Sequence, residues 1–189
     1  MSSMESDIGY LRAALPILKD YLLSTEIYWS IGASPPPGEA AYLQLTLGGI
    51  LLARSRLQAR KGDQEKEEES SRLLMELEKI QLQRRVNWEH KAGREFGARL
   101  RLWRDFLEDY RSHPENHSDR YAYEVTRRVM LELLKPYSHN VSRAELELLQ
   151  GLDELLRAVL VPGKFVWEAG LAPGFPESTY WYLYGHLRE

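Results

Sequence analysis

The residues of this chain with the clearest chemical potential are cations. Arg84, Arg85, Lys91, Arg94, Arg99, Arg101 and Arg104 crowd into one short stretch and are interleaved with Asn87, Trp88 and Trp103. Positive charge alternating with aromatic rings is the composition of a surface that tracks phosphates and stacks bases. On a helix Arg84, Lys91, Arg94 and Arg101 share one side, opposite the apolar stripe, and form a candidate anion or nucleic-acid face. The same spacing also suits a salt-bridged surface, because Arg85 and Glu89, Lys91 and Glu95, Arg101 and Asp105, and Arg104 and Glu108 are each one helical turn apart. Trp88 and Trp103 fall on the apolar stripe, and no recognition motif for DNA or RNA accompanies the cluster.

Other chemistries have less support. His113 and His117 lie four apart with Glu115 and Asp119 nearby, but Pro114 breaks the helical geometry that would bring both imidazoles to one metal ion. No serine sits in a Gly-x-Ser-x-Gly elbow, and Gly48-Gly49 alone is too little for a phosphate-binding loop. With no cysteine in the chain, disulfides, thiol nucleophiles and cysteine-ligated metals are excluded. No cofactor, metal site or catalytic residue is expected.

The helix that must carry the basic residues is the long proline-free stretch from Asp63 to Arg111. Leu73, Leu77, Ile80, Trp88, Ala92, Phe96, Leu100, Trp103, Leu107 and Tyr110 recur there at steps of three and four, once the turn at Arg84 is allowed for. Acidic residues at its start complement the helix dipole. An unbroken helix would be about 70 Å long, whereas a domain of this size is roughly 40 Å across. The helix therefore either protrudes, pairing with a second copy, or kinks, with Gly93 and Gly97 as the expected break or as a site of close helix approach. The apolar stripe drifts slowly around the helix instead of tracking a heptad seam, which disfavours a long two-stranded coiled coil.

Around this element the sequence predicts further helices. Ile8 to Leu22 gives an amphipathic first helix, capped at Ser6 or Asp7 and interrupted at Pro16. A Pro-rich connector at 32–38 separates it from a helix starting after Thr46, so neither apolar half of that region reaches the length of a membrane span. Tyr121 to Leu133, capped by Ser118, and a helix opened by the Ser142/Glu145 capping box read as an αα-hairpin. From Val161 the composition changes to alternating prolines, glycines and aromatic residues, which predicts an extended arm laid over the helices and a short helical turn after Glu177.

The expected fold is thus all-α: an irregular bundle of five to six helices around one long, kinked or protruding helix, with a helical domain at 1–160 and a C-terminal aromatic arm at 161–189. Of the 189 residues 43% are hydrophobic and 28% charged, with a net charge of −3, a globular balance without general attraction to nucleic acid or membranes. The first residues lack the basic end and apolar core of a secretory signal, so a soluble, cytoplasmic protein is expected. The first functional reading is a non-catalytic interaction or assembly protein with a protein partner or a second copy, its candidate contact arm being Phe165, Trp167, Phe175, Tyr180, Trp181 and Tyr184. The alternatives are an accessory nucleic-acid-binding protein using the basic face and, last, a metal-dependent or small-molecule enzyme.

Overall fold

Helix α1 spans Met4–Leu23 and starts one turn earlier than its apolar pattern predicts, because the Ser3 hydroxyl accepts from the Ser6 amide at 3.0 Å. Asp7 is released from capping and is buried, with Arg60 at 2.7 Å. Pro16 does not interrupt the helix. Its ring faces solvent, and the Arg12 carbonyl that loses its donor lies on an exposed residue that water reaches. A computed structural model describes residues 3–33 and 41–188. The Pro-rich connector expected at 32–38 lies, from Ser34 onward, outside the described residues.

The chain continues through α2 (Leu47–Ala59), capped by Thr46 Oγ1 accepting from the Gly49 amide at 3.0 Å. Next come α3 (Gln64–Gln83), α4 (Arg85–Ser112) and the single turn α5 (Pro114–His117). They are followed by α6 (Tyr121–Leu134), α7 (Arg143–Val159) and the single turn α8 (Glu177–Tyr180). Two short strands, β1 (Leu160–Phe165) and β2 (Tyr184–Leu187), pair antiparallel with Leu160 opposite Leu187. The fold is all-α, a helical bundle with an aromatic C-terminal region.

The long stretch breaks at Arg84, not at the glycines. Arg84 alone leaves helical geometry, at φ −120° and ψ 32°, while α4 runs unbroken through Gly93 and Gly97. The break coincides with a gap in the apolar stripe: Ile80 and Trp88 are buried, but Arg84 between them is exposed and has no core contact to hold the turn straight. Gly97 is explained by a side chain and not by a neighbouring backbone, since a methyl group there would stand 2.7 Å from a Glu145 carboxylate oxygen.

α4 is the central element, packed chiefly against α6 and more lightly against α1, α2 and α7. α3 lies outside it, held mainly by α1 through Leu73, Leu77 and Ile80. Its partner runs parallel, as Glu5 faces Lys66 and Arg12 faces Glu69. The predicted αα-hairpin is not a close-packed pair: α7 packs on α4, and α6 reaches it through the Arg128–Asp153 ion pair. The capping box at Ser142 and Glu145 forms as expected, whereas Ser118 opens a turn of 3-10 helix before α6 instead of capping it.

Candidate functional site

The basic stretch of α4 divides into buried and exposed members. Lys91 is only 2% exposed and leaves the candidate face. Its ammonium donates to the Ser24 and Glu26 carbonyls at 2.6 and 2.7 Å and lies 4.4 Å from the centre of the Tyr21 ring, closing the C-terminal end of α1. Burial, with Arg94 as the next cause, pushes its pKa down to about 8. Arg84, Arg94 and Arg101 remain exposed, and among the described residues none of the three is in an ion pair. Of the expected turn-spaced pairs, Arg85–Glu89 forms at 2.7 Å and Arg104–Glu108 at 3.6 Å. Asp105 goes to Arg104, and Glu95 to Arg99.

Glu95 and Arg99 form a buried polar knot against the start of α2. Arg99 Nε donates to Glu95 Oε1 at 2.6 Å and its Nη2 to Thr46 Oγ1 at 2.8 Å. The same Glu95 oxygen accepts from the Gly48 amide at 3.0 Å, where the helix dipole favours a negative charge. Gly48 must be glycine, because a methyl group would stand 2.6 Å from Glu95 Oε1 and 2.9 Å from Arg99 Nε. Glu95→Ala is expected to destabilise the fold by about 3–5 kcal/mol, the cost of leaving a buried guanidinium unpaired. Urea unfolding measures it, and a loss below about 1 kcal/mol would mean that water reaches Arg99.

The arm turns its rings inward. Trp167 is buried with its indole N–H on the Ala122 carbonyl at 2.9 Å, and Phe175 and Tyr182 are fully buried. Phe165, Tyr180, Trp181 and Tyr184 are half-buried and join a run of edge-to-face and tilted ring contacts that includes Phe165–Tyr184 and Phe175–Tyr180, both at 5.1 Å. Arg128 holds this run to the helices, forked on Asp153 at 2.8 Å and lying 4.5 Å from the centre of the Tyr182 ring. The six candidate contact residues of the arm therefore face the helices or one another, and Phe175 and Trp167 have almost no surface to offer a partner.

Sequence reasoning passed over a different surface. Met75, Leu82 and Val86 are 65%, 71% and 78% exposed and follow one another at steps of seven and four across the α3–α4 junction. A groove of about 470 Å³ between α3 and α1 is lined by Lys19, Arg72, Met75, Lys79 and Ile80, and one of about 340 Å³ on the other side by Arg54, Met75, Leu82 and Tyr137. Met75 is the ridge between them. The signal was present as apolar residues off the phase of the buried stripe. It could be read only once Leu73, Leu77 and Ile80 were known to be the buried side of α3.

Among the described residues no group of three or more His, Asp or Glu side chains is placed to hold a metal ion, and no helix is long and apolar enough to cross a membrane. Comparison with protein-family models, with curated proteins and with solved structures finds no match to this chain.

Proposed function

We propose that the protein is a non-catalytic interaction or assembly protein whose contact surface is the outer face of α3 and its junction with α4. The observation that carries this reading is the exposure of Met75 and Leu82 beside the two grooves, with Val86 exposed just past the α3–α4 junction. Single exposed apolar residues are ordinary, but several close together, bordered by charge, are the pattern of a docking surface. A cytoplasmic setting belongs to the same proposal, and the cysteine-free composition suits a reducing compartment.

A second reading, nucleic-acid binding, rests on the exposed Arg84, Arg94 and Arg101 having no carboxylate partner among the described residues. One pair of measurements separates the two. A photo-crosslinking residue at position 82, irradiated in cells making the full chain, is expected to give protein adducts well above those from position 146, an exposed residue on α7. Adducts no stronger than that control would refute the interaction reading. Salt-sensitive binding of single-stranded DNA, lost in the Arg84→Ala/Arg94→Ala/Arg101→Ala variant, would put the second reading first.

A further inference from the structure

The seam between α1 and α3 is closed at one end and open at the other. The two helices run parallel, and Arg12 meets Glu69 across the seam at 2.6 Å. Seven residues further along each helix stand Lys19 and Glu76, the pair that a regular ladder of parallel helices would close next. That rung is not made. Both side chains instead line the groove of about 470 Å³, with Arg72, Met75, Lys79 and Ile80. Among the described residues neither Lys19 nor Lys79 is in an ion pair, and Arg72 reaches only the Glu69 carboxylate, at 3.8 Å, which Arg12 already holds. The lining thus sets three cations and one carboxylate around the edge of Ile80 and the exposed ridge of Met75. The other acidic residues of α3 lie elsewhere. Glu65, Glu67 and Glu68 belong to its N-terminal end, where Glu67 accepts from the Gly62 amide and Glu68 from the Gln64 side chain, and Glu78 lines the groove on the opposite side. On α1, Asp20 is exposed but stands outside the lining.

We infer that this groove takes an acidic amphipathic helix of another protein. The inference rests on the interaction reading above and supplies the chemistry of the partner. Arg72, Met75 and Lys79 follow one another at steps of three and four along one wall, with Arg72 and Lys79 two turns or about 10 Å apart, and Lys19 stands on the other wall. A partner helix with carboxylates two turns apart and an apolar residue between them matches that order, its apolar side chain lying on Met75 and Ile80. Nucleic acid fits less well, because no aromatic ring lines the groove for a base to stack on and Glu76 repels phosphate.

A phage-displayed library of random peptides of about 16 residues, enough for roughly four helical turns, selected on the immobilised full chain tests this. The peptides recovered are expected to be rich in Asp, Glu and large apolar residues, and to bind more weakly as salt rises. Measured by fluorescence anisotropy, Lys19→Glu/Lys79→Glu should weaken them at least about tenfold with an unchanged helical spectrum. Glu76→Gln should tighten them about threefold, a gain that a variant merely damaged in its fold could not show. Recovery of neutral or basic peptides, of none, or of acidic ones indifferent to both variants would overturn the inference. So would single-stranded DNA or anionic vesicles binding through the same lysines where no peptide does. If no acidic peptide binds while position 82 gives adducts with other proteins, the groove assignment is refuted and the interaction reading survives. If none binds and position 82 gives no adducts above the control, both are refuted.

Discussion

A chain cut after Gly163 is expected to lose cooperative folding altogether. The segment removed contributes Phe175, Tyr182 and Leu183, all at 0% exposure, together with Trp167 and Leu187. Full burial of one large apolar side chain is worth about 1.5–3 kcal/mol, so these residues together match the 5–15 kcal/mol that typically separates folded from unfolded domains. Removal also uncovers Arg128, which stacks on Tyr182, and takes away the Tyr182 carbonyl that accepts from the Tyr121 hydroxyl at 2.6 Å. Thermal melting followed by circular dichroism decides the matter. The intact chain should melt in one sharp transition and the shortened one in none. A shortened chain that melts sharply within a few degrees of the intact protein would show the arm to be peripheral.

The second large effect is alkaline unfolding. Tyr10, Tyr21, Tyr121 and Tyr182 are buried, and that burial raises each phenol above its ordinary pKa of 10. Above pH 10 the unfolded chain releases these protons while the folded one keeps them, so the folded state binds more protons and stability falls as pH rises. The stabilisation is fully present below pH 10. Each tyrosine costs about 1.4 kcal/mol per pH unit beyond that point, and four together cost on the order of 5 kcal/mol by pH 11. Lys91 acts in the opposite sense: with its pKa lowered to about 8 by burial, it adds stability as pH climbs from there toward 10.5, the ordinary value. Stability measured by urea titration should therefore hold or rise up to about pH 10 and then drop steeply. A curve that is flat through pH 11 would mean that the phenols ionise inside the fold.

What could be read from the sequence follows from how local each signal is. Thr46 and Ser142 announce α2 and α7 because a cap is decided within four residues, and both caps form. The division at Arg84 has no glycine or proline to mark it; the gap in the apolar stripe there is legible in the sequence, but that the helix breaks at this gap and not at Gly93 and Gly97 shows only in the packed molecule. Lys91, Glu95 and Arg99 were assigned by charge to the surface, yet Glu95 and Arg99 keep step with Trp88, Ala92 and Trp103 on the buried side of α4. There, spacing was a better guide than residue type. The aromatic tail was visible as an arm with a helical turn after Glu177, but its two strands were not. Pro162 and Gly163 read as turn formers, and the pairing of Leu160 with Leu187 links positions too far apart for a pattern to register.

The ion pairs that run from α1 to the arm also bear on how the molecule is made. Arg60 binds Asp7 on one side and Glu168 on the other, links that span 53 and 108 residues of chain. Tyr110 reaches across 78 residues to the Arg188 carbonyl. Contacts so distant form only after most of the conformational search is complete, because closing each loop costs entropy before the contact repays it. Such links raise the mean sequence separation of contacts and slow folding relative to a bundle held by neighbouring helices alone, and the apolar surfaces the arm covers stay open until it returns.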